Sequence, residues 1–303
     1  MTQPLIKPTG MIVASNAGIY TVKCDDNSKI TCKAKGLFRL KKISPQVGDF
    51  VTLEPVLSNF ESDYESESGY VISEIGERTN SLIRPPLANL DFGIIVVSSC
   101  EPKPNALIID RLTVIFESKC IEPLLVFTKV DKKQALLLET YREAGFVCFS
   151  IEPSDNSDIE IAKLKEYISG KTSTLIGNTG VGKTTLLNRL IGTELPTAKI
   201  SRKLGRGKHT TRTVVLHELK GGGYIADTPG FSTVETKLYS EISLSDVPLY
   251  FREFSPLIGK CKFGGCTHHG EDGCAFPIDK NTNSRYQSYK AIYAEAKKNE
   301  SEY

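Results

Sequence analysis

Residues 177–184 have the types and spacing of a loop that binds phosphate. They read Gly-Asn-Thr-Gly-Val-Gly-Lys-Thr, match the pattern GxxxxGK[ST], and stand between a predicted strand and a helix that begins at Lys183. Glycines let successive backbone N–H groups turn toward phosphate oxygens, and the N-terminus of the helix adds its positive end. Lys183 would reach the outer phosphates, and Thr184 would offer its hydroxyl to Mg²⁺. The sequence therefore predicts a nucleoside triphosphate site.

A second segment, residues 128–131, reads Thr-Lys-Val-Asp and resembles the [NT]KxD signature that recognises guanine. Asp131 would accept hydrogen bonds from guanine N1–H and the exocyclic amine. Adenine does not present these donors, so ATP would leave the buried carboxylate unpaired at a cost of about 1 to 3 kcal/mol. Lys129 would lie along the base, whereas Thr128 stands where Asn is commoner and brings no amide to link this loop to the phosphate loop. Ser150, after another predicted strand, is a further candidate for the loop that contacts the base.

A third segment, residues 227–230, reads Asp-Thr-Pro-Gly and resembles the DxxG element of GTPases, in which the aspartate holds Mg²⁺ and the glycine N–H meets the γ-phosphate. Ordinary GTPases run from phosphate loop to DxxG to [NT]KxD, but here the guanine element comes first. The order predicts a circularly permuted sheet, whose site survives because strand pairing does not depend on where the chain starts. The segment that senses the γ-phosphate then runs directly into the C-terminal region, which nucleotide state could therefore move.

Residues 201–212 lie where the first switch of a GTPase is expected, and they contain five Lys and Arg residues. We expect a mobile loop whose charge serves either solvation or contact with RNA phosphates. Thr210 or Thr211 could bind Mg²⁺ when GTP is present. Phe231 replaces the Gln with which Ras-like enzymes orient the attacking water, so hydrolysis needs another group, with His209 the nearest titratable candidate in sequence, or a partner. Such a partner can be worth about 10³ to 10⁵ in rate.

The C-terminal region holds a dense group of metal-ligating residues. Cys261, Cys266, His268 and Cys274 supply three thiolates and an imidazole, which is the ligand set of a closed tetrahedral zinc site. His269 is a competing imidazole that spacing alone does not exclude. The sequence predicts one structural zinc ion, whose binding could contribute on the order of 10 to 16 kcal/mol to folding.

Composition limits the class of protein. The chain has 303 residues, of which 40% are hydrophobic and 24% are charged, as in soluble globular proteins. No apolar run approaches the roughly 20 residues of a membrane helix, and the N-terminus lacks the pattern of a signal peptide. We therefore expect a cytoplasmic protein without membrane contact. The net charge of +2 makes any attraction to nucleic acid local rather than global.

The pattern of apolar residues changes along the chain. Short strands separated by turns up to about residue 75 predict a small barrel. Within it, residues 33–42 place five cations around Phe38, which suits an oligonucleotide-binding surface, although a solvated strand edge would look similar. Buried strands then alternate with helices to about residue 235, which predicts a mostly parallel sheet. Predicted helices follow, with tyrosines at helical spacing near the C-terminus that favour packing.

Together these segments resemble the RsgA or YjeQ family of bacterial GTPases that depend on the small ribosomal subunit. Gly48-Asp49 in the barrel, Arg84-Pro85-Pro86 and residues 207–211 also match that family. The resemblance implies a multidomain α/β protein with an N-terminal OB-fold β-barrel, a circularly permuted P-loop GTPase domain and a C-terminal helical zinc-binding domain. The corresponding predicted domains are residues 1–75, 80–235 and 236–303.

The resemblance also implies a function. We expect a monomeric GTPase whose slow hydrolysis is stimulated by the 30S subunit, which acts late in 30S maturation, binds 16S rRNA and is released on hydrolysis, with a catalytic role for His209. The alternatives are a GTP-gated RNA-binding module in which hydrolysis is incidental, and ATP-dependent RNA remodelling if Asp131 is irrelevant. The predicted nucleotide-binding residues are Thr128, Lys129, Val130, Asp131, Ser150, Gly177, Asn178, Thr179, Gly180, Val181, Gly182, Lys183, Thr184, Thr185, Asp227 and Gly230, with Thr184 and Asp227 on Mg²⁺.

Overall fold

The computed structural model describes residues 7–56, 69–130, 135–152, 158–193, 214–227, 242–276 and 284–301. The acidic segment 59–68, which the sequence predicts to be a solvated loop, lies outside these ranges. None of the helices within them is both long enough and apolar enough to cross a membrane. Contacts group the chain into two compact units, one of residues 1–91, 168–174 and 184–229 and the other of residues 92–167, 175–183 and 230–303.

The described strands and helices alternate along the chain. The strands are β1 Thr9–Asn16, β2 Ile19–Cys24, β3 Lys29–Ala34, β4 Phe50–Pro55, β5 Tyr70–Ile75, β6 Ser81–Leu82, β7 Leu87–Ala88, β8 Phe92–Ser98, β9 Glu122–Thr128, β10 Val147–Ile151, β11 Thr172–Ile176, β12 Val214–Glu218 and β13 Tyr224–Asp227. The helices are α1 Leu37–Leu40, α2 Ala106–Ser118, α3 Ala135–Glu143, α4 Asp158–Tyr167, α5 Lys183–Ile191 and α6 Ser284–Ser301, with 3₁₀ helices at Leu244–Tyr250 and Ser255–Leu257.

Five strands of the first unit close a barrel, as the sequence predicts. β1 pairs with β2, β2 with β3, β4 with β5 and β4 with β1, all antiparallel, whereas β3 and β5 run parallel. Alternate side chains of β2 are buried, as expected for a strand with one face on a core. Ile12, Val22, Leu53 and Ile72 are fully buried at its centre.

The fourth barrel strand begins at Phe50, directly after a turn at Gly48 and Asp49. The reason is the buried carboxylate of Asp49, which accepts from the backbone N–H of Gln46 at 2.7 Å and from Arg78 Nε at 2.7 Å. These bonds hold the chain in a turn ahead of the strand. Gly48 is required in that turn because its φ is +96° and a Cβ there would lie 2.1 Å from the carbonyl oxygen of Ala88.

The barrel continues into a hairpin formed by β12 and β13. The hairpin is antiparallel because only residues 219–223 join its strands, whereas a parallel pair needs a longer crossover. The other edge of β12 pairs antiparallel with β1, where Ala14 opposes Val215 and Ser15 opposes Val214. Lys23 Nζ lies 2.7 Å from Glu218 Oε1 and adds an ion pair between β2 and β12. The strand that follows the predicted first switch is therefore hydrogen-bonded to the barrel.

The second unit contains a parallel sheet in the order β10-β9-β8. Six of the seven residues in each of β8 and β9 are buried, which is the pattern of strands covered on both faces. α2 connects β8 to β9, and the side chain of Asn105 caps it by accepting from the N–H of Ile108. This agrees with the prediction of alternating buried strands and helices.

A buried ion-pair network attaches α6 to α2 within the same unit. The guanidinium of Arg285 contacts Asp110 Oδ1 at 2.7 Å and Glu253 Oε1 at 2.6 Å, and Arg285 and Asp110 are both almost inaccessible to solvent. Tyr141 donates to the same Asp110 oxygen at 2.7 Å. Burial opposes the charge of Arg285, but the nearby carboxylates more than compensate and raise the pKa of its guanidinium. Removing one partner would leave a buried charge uncompensated, so the network fixes how α6 docks.

Candidate functional site

The phosphate loop lies between β11 and α5, as predicted. Gly177 has a φ of +154°, and a Cβ at this position would lie 2.3 Å from the carbonyl oxygen of Val96. Only glycine fits where the loop passes this backbone. Lys183 Nζ donates to the carbonyl oxygens of Gly177 at 2.7 Å and Asn178 at 2.8 Å, so its ammonium lies across the loop that would receive phosphate.

The guanine element meets the phosphate loop through two side chains. The hydroxyl of Thr128, at the end of β9, donates to the carbonyl oxygen of Val181 at 2.6 Å. Lys129 Nζ donates to the carbonyl oxygen of Gly180 at 2.9 Å. Segments about fifty residues apart in sequence are therefore joined where the base and the phosphates of one nucleotide would bind.

Thr128 stands where guanine signatures more commonly have Asn, so this position has no side-chain amide to bond to the phosphate loop. The hydroxyl of Thr128 makes a bond to that loop instead. The side chain is buried, at 8% exposure, and a Cβ at Gly182 would lie 3.8 Å from its methyl carbon. A buried hydroxyl that donates to a backbone carbonyl holds the two loops in one geometry.

The segment after β8 also supports the guanine element, and the sequence analysis did not identify it. The backbone N–H of Ser99 donates to the carbonyl oxygen of Thr128 at 2.8 Å. The carbonyl oxygen of Glu101 accepts from Lys129 Nζ at 2.6 Å and from the Ser98 hydroxyl at 2.7 Å. The sequence could have indicated this segment, because Ser98 and Ser99 are polar residues at the carboxyl end of a predicted parallel strand. Such sheets bind ligands at this edge.

The structure also describes four other residues that the sequence predicts to contact the nucleotide or Mg²⁺, namely Ser150, Thr184, Thr185 and Asp227. Ser150 lies within β10 rather than in the loop after that strand, so the prediction of its loop position is wrong, because β10 extends to Ile151. Thr184 and Thr185 occupy the first turn of α5, where Thr184 is half-buried and Thr185 is exposed. Asp227 is the last residue of β13.

Several predicted residues fall outside the described part of the chain. They include the base-reading carboxylate, the switch residues, the glycine of the DxxG element and the residue after it. These are Asp131, His209, Thr210, Thr211, Gly230 and Phe231.

The four predicted metal ligands come together in one cluster. Their ligand atoms all lie within 4.8 Å of one another. His268 Nδ1 lies 3.6 Å from Cys261 Sγ, 3.9 Å from Cys266 Sγ and 3.6 Å from Cys274 Sγ. A tetrahedral zinc ion at ordinary bond lengths separates a sulfur and a nitrogen ligand by about 3.6 Å, so the cluster fits such an ion.

His269 has other partners. Its Nδ1 lies 2.9 Å from the carbonyl oxygen and 3.1 Å from the hydroxyl of Thr267, and its ring packs against Tyr293. Glu271 stabilises the same turn by accepting from the N–H groups of Thr267 and His269 at 2.7 Å. Burial alone would raise the pKa of Glu271, but hydrogen bonds led by the Thr267 hydroxyl lower it to about 2. The carboxylate therefore stays ionised, a role that the sequence analysis did not anticipate.

The tyrosines of α6 hold the metal cluster in place. Tyr286 donates its hydroxyl to the carbonyl oxygen of His268 at 3.0 Å, and Tyr289 donates to that of Thr267. Phe254 stacks on the His268 ring at 5.2 Å between centroids and packs on Tyr289 at 4.5 Å. The helical spacing of these tyrosines is therefore explained by packing, as predicted.

Comparison with known families agrees with this geometry. A family model described as RsgA GTPase matches residues 75–237, and one described as RsgA N-terminal domain matches residues 9–60. The chain belongs to the RsgA GTPase family. The predicted family resemblance and the GTPase class are therefore confirmed.

Curated relatives share most of their length with the chain. A small ribosomal subunit biogenesis GTPase RsgA 2 from Oceanobacillus iheyensis is 42% identical over 274 residues, which cover 88% of each protein. A small ribosomal subunit biogenesis GTPase RsgA from a Geobacillus species is 38% identical over 306 residues, which cover 97% of this chain and 99% of the relative.

Solved structures show the same architecture. YloQ, described as a circularly permuted GTPase, has a TM-score of 0.74 at 28% identity and covers 98% of both chains. YjeQ from Thermotoga maritima has a TM-score of 0.74 at 29% identity and covers 96% of this chain and 99% of its own. The predicted permuted GTPase fold, with an N-terminal barrel and a C-terminal Cys/His cluster, is confirmed.

We predict that replacing Thr128 by Val weakens GDP binding. Valine keeps the shape of the side chain but leaves the buried carbonyl of Val181 without its donor, which costs about 1 to 2 kcal/mol, or roughly 5- to 30-fold in affinity. Thr128→Ser keeps the hydroxyl and is the matched control, expected to bind within about threefold of wild type. Titration with a fluorescent GDP analogue measures both, and equal affinities of the two variants would contradict the role of the hydroxyl.

Proposed function

We propose that the protein is a GTPase of late small-subunit maturation, which binds 16S rRNA in the 30S subunit and is released when GTP is hydrolysed. The observation that carries the proposal is the pair of bonds from Thr128 and Lys129 to the phosphate loop. They link the predicted guanine signature to the predicted triphosphate loop despite their reversed order, which supports a single nucleotide site. The names of the relatives support the choice of the small ribosomal subunit as the setting.

The residue after the DxxG element favours hydrolysis that depends on a partner. Phe231 cannot orient a water molecule, so the isolated protein is expected to hydrolyse GTP slowly. The 30S subunit would arrange the missing group, and His209 in the predicted switch is the candidate for it. Thr210 or Thr211 would complete the Mg²⁺ site in the GTP-bound state.

Two metal ions are part of the proposal. The hydroxyl of Thr184 and the carboxylate of Asp227 would hold Mg²⁺, which when bound neutralises charge on the phosphates. The nucleotide itself would be contacted by Asp131 at the base, by Ser150 and Thr185 near the loops, and by Gly230 at the γ-phosphate.

The Cys/His cluster would hold one zinc ion, because three thiolates and one imidazole at these separations suit that metal.

The proposal extends to organisation and setting. We propose that residues 1–75, 80–235 and 236–303 act as an OB-fold domain, a permuted GTPase domain and a zinc domain. The protein would act as a cytoplasmic monomer whose partner is the ribosomal subunit. The basic residues of the barrel and the metal cluster at the other end of the chain are the parts expected to contact RNA.

We predict that Cys266→Ser removes the zinc. Losing one of four ligands opens the tetrahedral site, so metal analysis of the purified variant should find well under the roughly one ion per chain expected for wild type. Thermal unfolding of the C-terminal region should move to lower temperature because the ion contributes to its folding. Cys120→Ser is the control, since that thiol is exposed and outside the cluster. Equal zinc content in both variants would exclude this site.

We predict that 30S subunits accelerate GTP hydrolysis by at least about tenfold, which is less than the roughly 10³- to 10⁵-fold that a partner can supply by arranging a site. The acceleration should weaken as salt rises from about 50 to 200 mM, because docking on RNA releases counterions. Hydrolysis is measured with and without purified subunits, and His209→Ala is compared at equal subunit binding. The enzyme predicts a trapped complex for this variant, whereas unchanged release or no acceleration would favour a GTP-gated binding module.

A further inference from the structure

Helix α2 contacts two parts of the molecule that the sequence assigns to different ligands. The segment 98–105, which precedes the helix, contacts the predicted guanine element. Asp110, in the second turn of the helix, contacts α6, and α6 in turn contacts the Cys/His cluster. Residues 92–167, 175–183 and 230–303 form one compact unit, so all of these contacts lie within it. The helix is therefore placed to connect the two predicted ligand sites.

The N-terminal end of α2 is attached to the predicted nucleotide pocket. The carbonyl oxygen of Glu101 accepts from Lys129 Nζ at 2.6 Å. Pro102 lies against the phosphate loop, since a Cβ at Gly180 would be 4.0 Å from its Cδ atom. The side chain of Asn105 then caps the helix. Because so few residues separate the cap from Glu101, a shift of α2 would move the carbonyl oxygen that accepts from Lys129.

The second turn of α2 is attached to α6 by buried charges. Arg285 Nη1 lies 2.7 Å from Asp110 Oδ1, and the two residues are 1% and 0% exposed. Arg111 and Glu295 form a second ion pair between the same two helices. Well-packed apolar residues often stabilise a protein as much as a buried ion pair does, but the ion pair selects one geometry of the elements that carry it. The Arg285–Asp110 pair therefore specifies where α2 lies on α6.

The same end of α6 holds the loop that carries a metal ligand. Tyr286, the residue after Arg285, donates its hydroxyl to the carbonyl oxygen of His268 at 3.0 Å. Tyr289, about one turn further along α6, donates to the carbonyl oxygen of Thr267. His268 has a φ of +58°, a conformation that residues other than glycine rarely adopt. The helix that pairs with α2 thus also supports the backbone of a predicted zinc ligand.

We propose that Arg285 and Asp110 are positioning residues for the nucleotide pocket and make its affinity for GDP depend on zinc in the Cys/His cluster. An occupied cluster fixes the loop that α6 contacts, and the ion pair passes this constraint from α6 to α2. α2 then keeps Glu101 where its carbonyl oxygen accepts from Lys129. The coupling is reciprocal, so GDP tightens zinc binding by the same factor. The inference rests on the proposed zinc and nucleotide sites.

The test measures the affinity of the full chain for a fluorescent GDP analogue, with zinc bound and after a chelator has removed it. The zinc-loaded protein should bind about fivefold or more tightly, at the lower end of measured couplings between sites. Competition with a zinc indicator should give the same factor for zinc affinity with and without saturating GDP. Equal GDP affinities would overturn the coupling and leave both sites intact, whereas a chain that binds no zinc or no GDP would overturn the proposed site as well.

Arg285→Gln separates the coupling from the two sites. The zinc-loaded variant should bind GDP as weakly as zinc-free wild type, and removing its zinc should change the affinity by less than about twofold. Arg252→Gln is the matched control, because Arg252 pairs with Glu117 and Glu122 at the end of α2 away from the pocket. This control should keep the wild-type factor. An equal loss of coupling in both variants would assign the effect to general destabilisation and overturn the inference.

Tyr286→Phe tests the same contacts without disturbing the buried charges. The variant keeps the ring, which stacks on Phe276, and loses only the hydroxyl that donates to His268. It should retain zinc at roughly one ion per chain, as expected for an intact ligand set. Its coupling factor should be about twofold or more below that of wild type. If Arg285→Gln does not fold, this variant decides, and a wild-type factor in it would overturn the inference.

Discussion

The hydroxyl of Thr128 and the ammonium of Lys129 donate to the backbone carbonyls of Val181 and Gly180, and the candidate nucleotide pocket depends on these bonds. They join the loop that is predicted to read the base to the loop that is predicted to hold the phosphates. The phosphate loop alone does not distinguish a guanine nucleotide from another triphosphate, so that distinction depends on the other loop. Because the acceptors are backbone carbonyls, the link depends on the path of the phosphate loop, which Gly177 allows by passing close to Val96.

This arrangement explains why a permuted order is compatible with function. The loops meet because Thr128 and Lys129, at the carboxyl end of β9, bond to the loop that follows β11, whatever the order of segments along the chain. Permutation changes which parts of the chain are connected to the site. β12 is paired on one side with β13, which ends at Asp227, and on the other with β1 of the barrel. The strand leading from the predicted switch is thus part of the same hydrogen-bonded sheet as a predicted RNA-binding surface.

The sequence predicted the parts of this molecule that depend on local patterns. The phosphate loop with its flanking strand and helix, the Cys₃His cluster and the tyrosine spacing of α6 are all visible in short windows. Contacts between distant residues were not predictable in this way. The Arg285–Asp110 pair spans 175 residues, and nothing near either residue marks the other as its partner.

The position of Ser150 and the role of Glu271 were also not predictable from short sequence windows, because both depend on contacts with other parts of the folded chain. Strand ends depend on pairing with a neighbour, since Ser150 opposes Phe127 of β9. Glu271 acts through the N–H groups of a turn that forms only when the cluster is assembled. For Thr128, the residue type suggested that no side chain would link the two loops. The structure shows that its hydroxyl makes this link.

The most direct test of a guanine-specific permuted pocket is nucleotide preference in Asp131→Asn, measured by equilibrium binding of GTP, ATP and xanthosine triphosphate. Asparagine can donate to the second carbonyl of xanthine but no longer accepts both guanine donors. The account predicts that wild type prefers GTP over xanthosine triphosphate by about 100-fold and that the variant reverses this preference. A variant that keeps the wild-type preference for GTP, or a wild type that binds ATP equally well, would contradict the account.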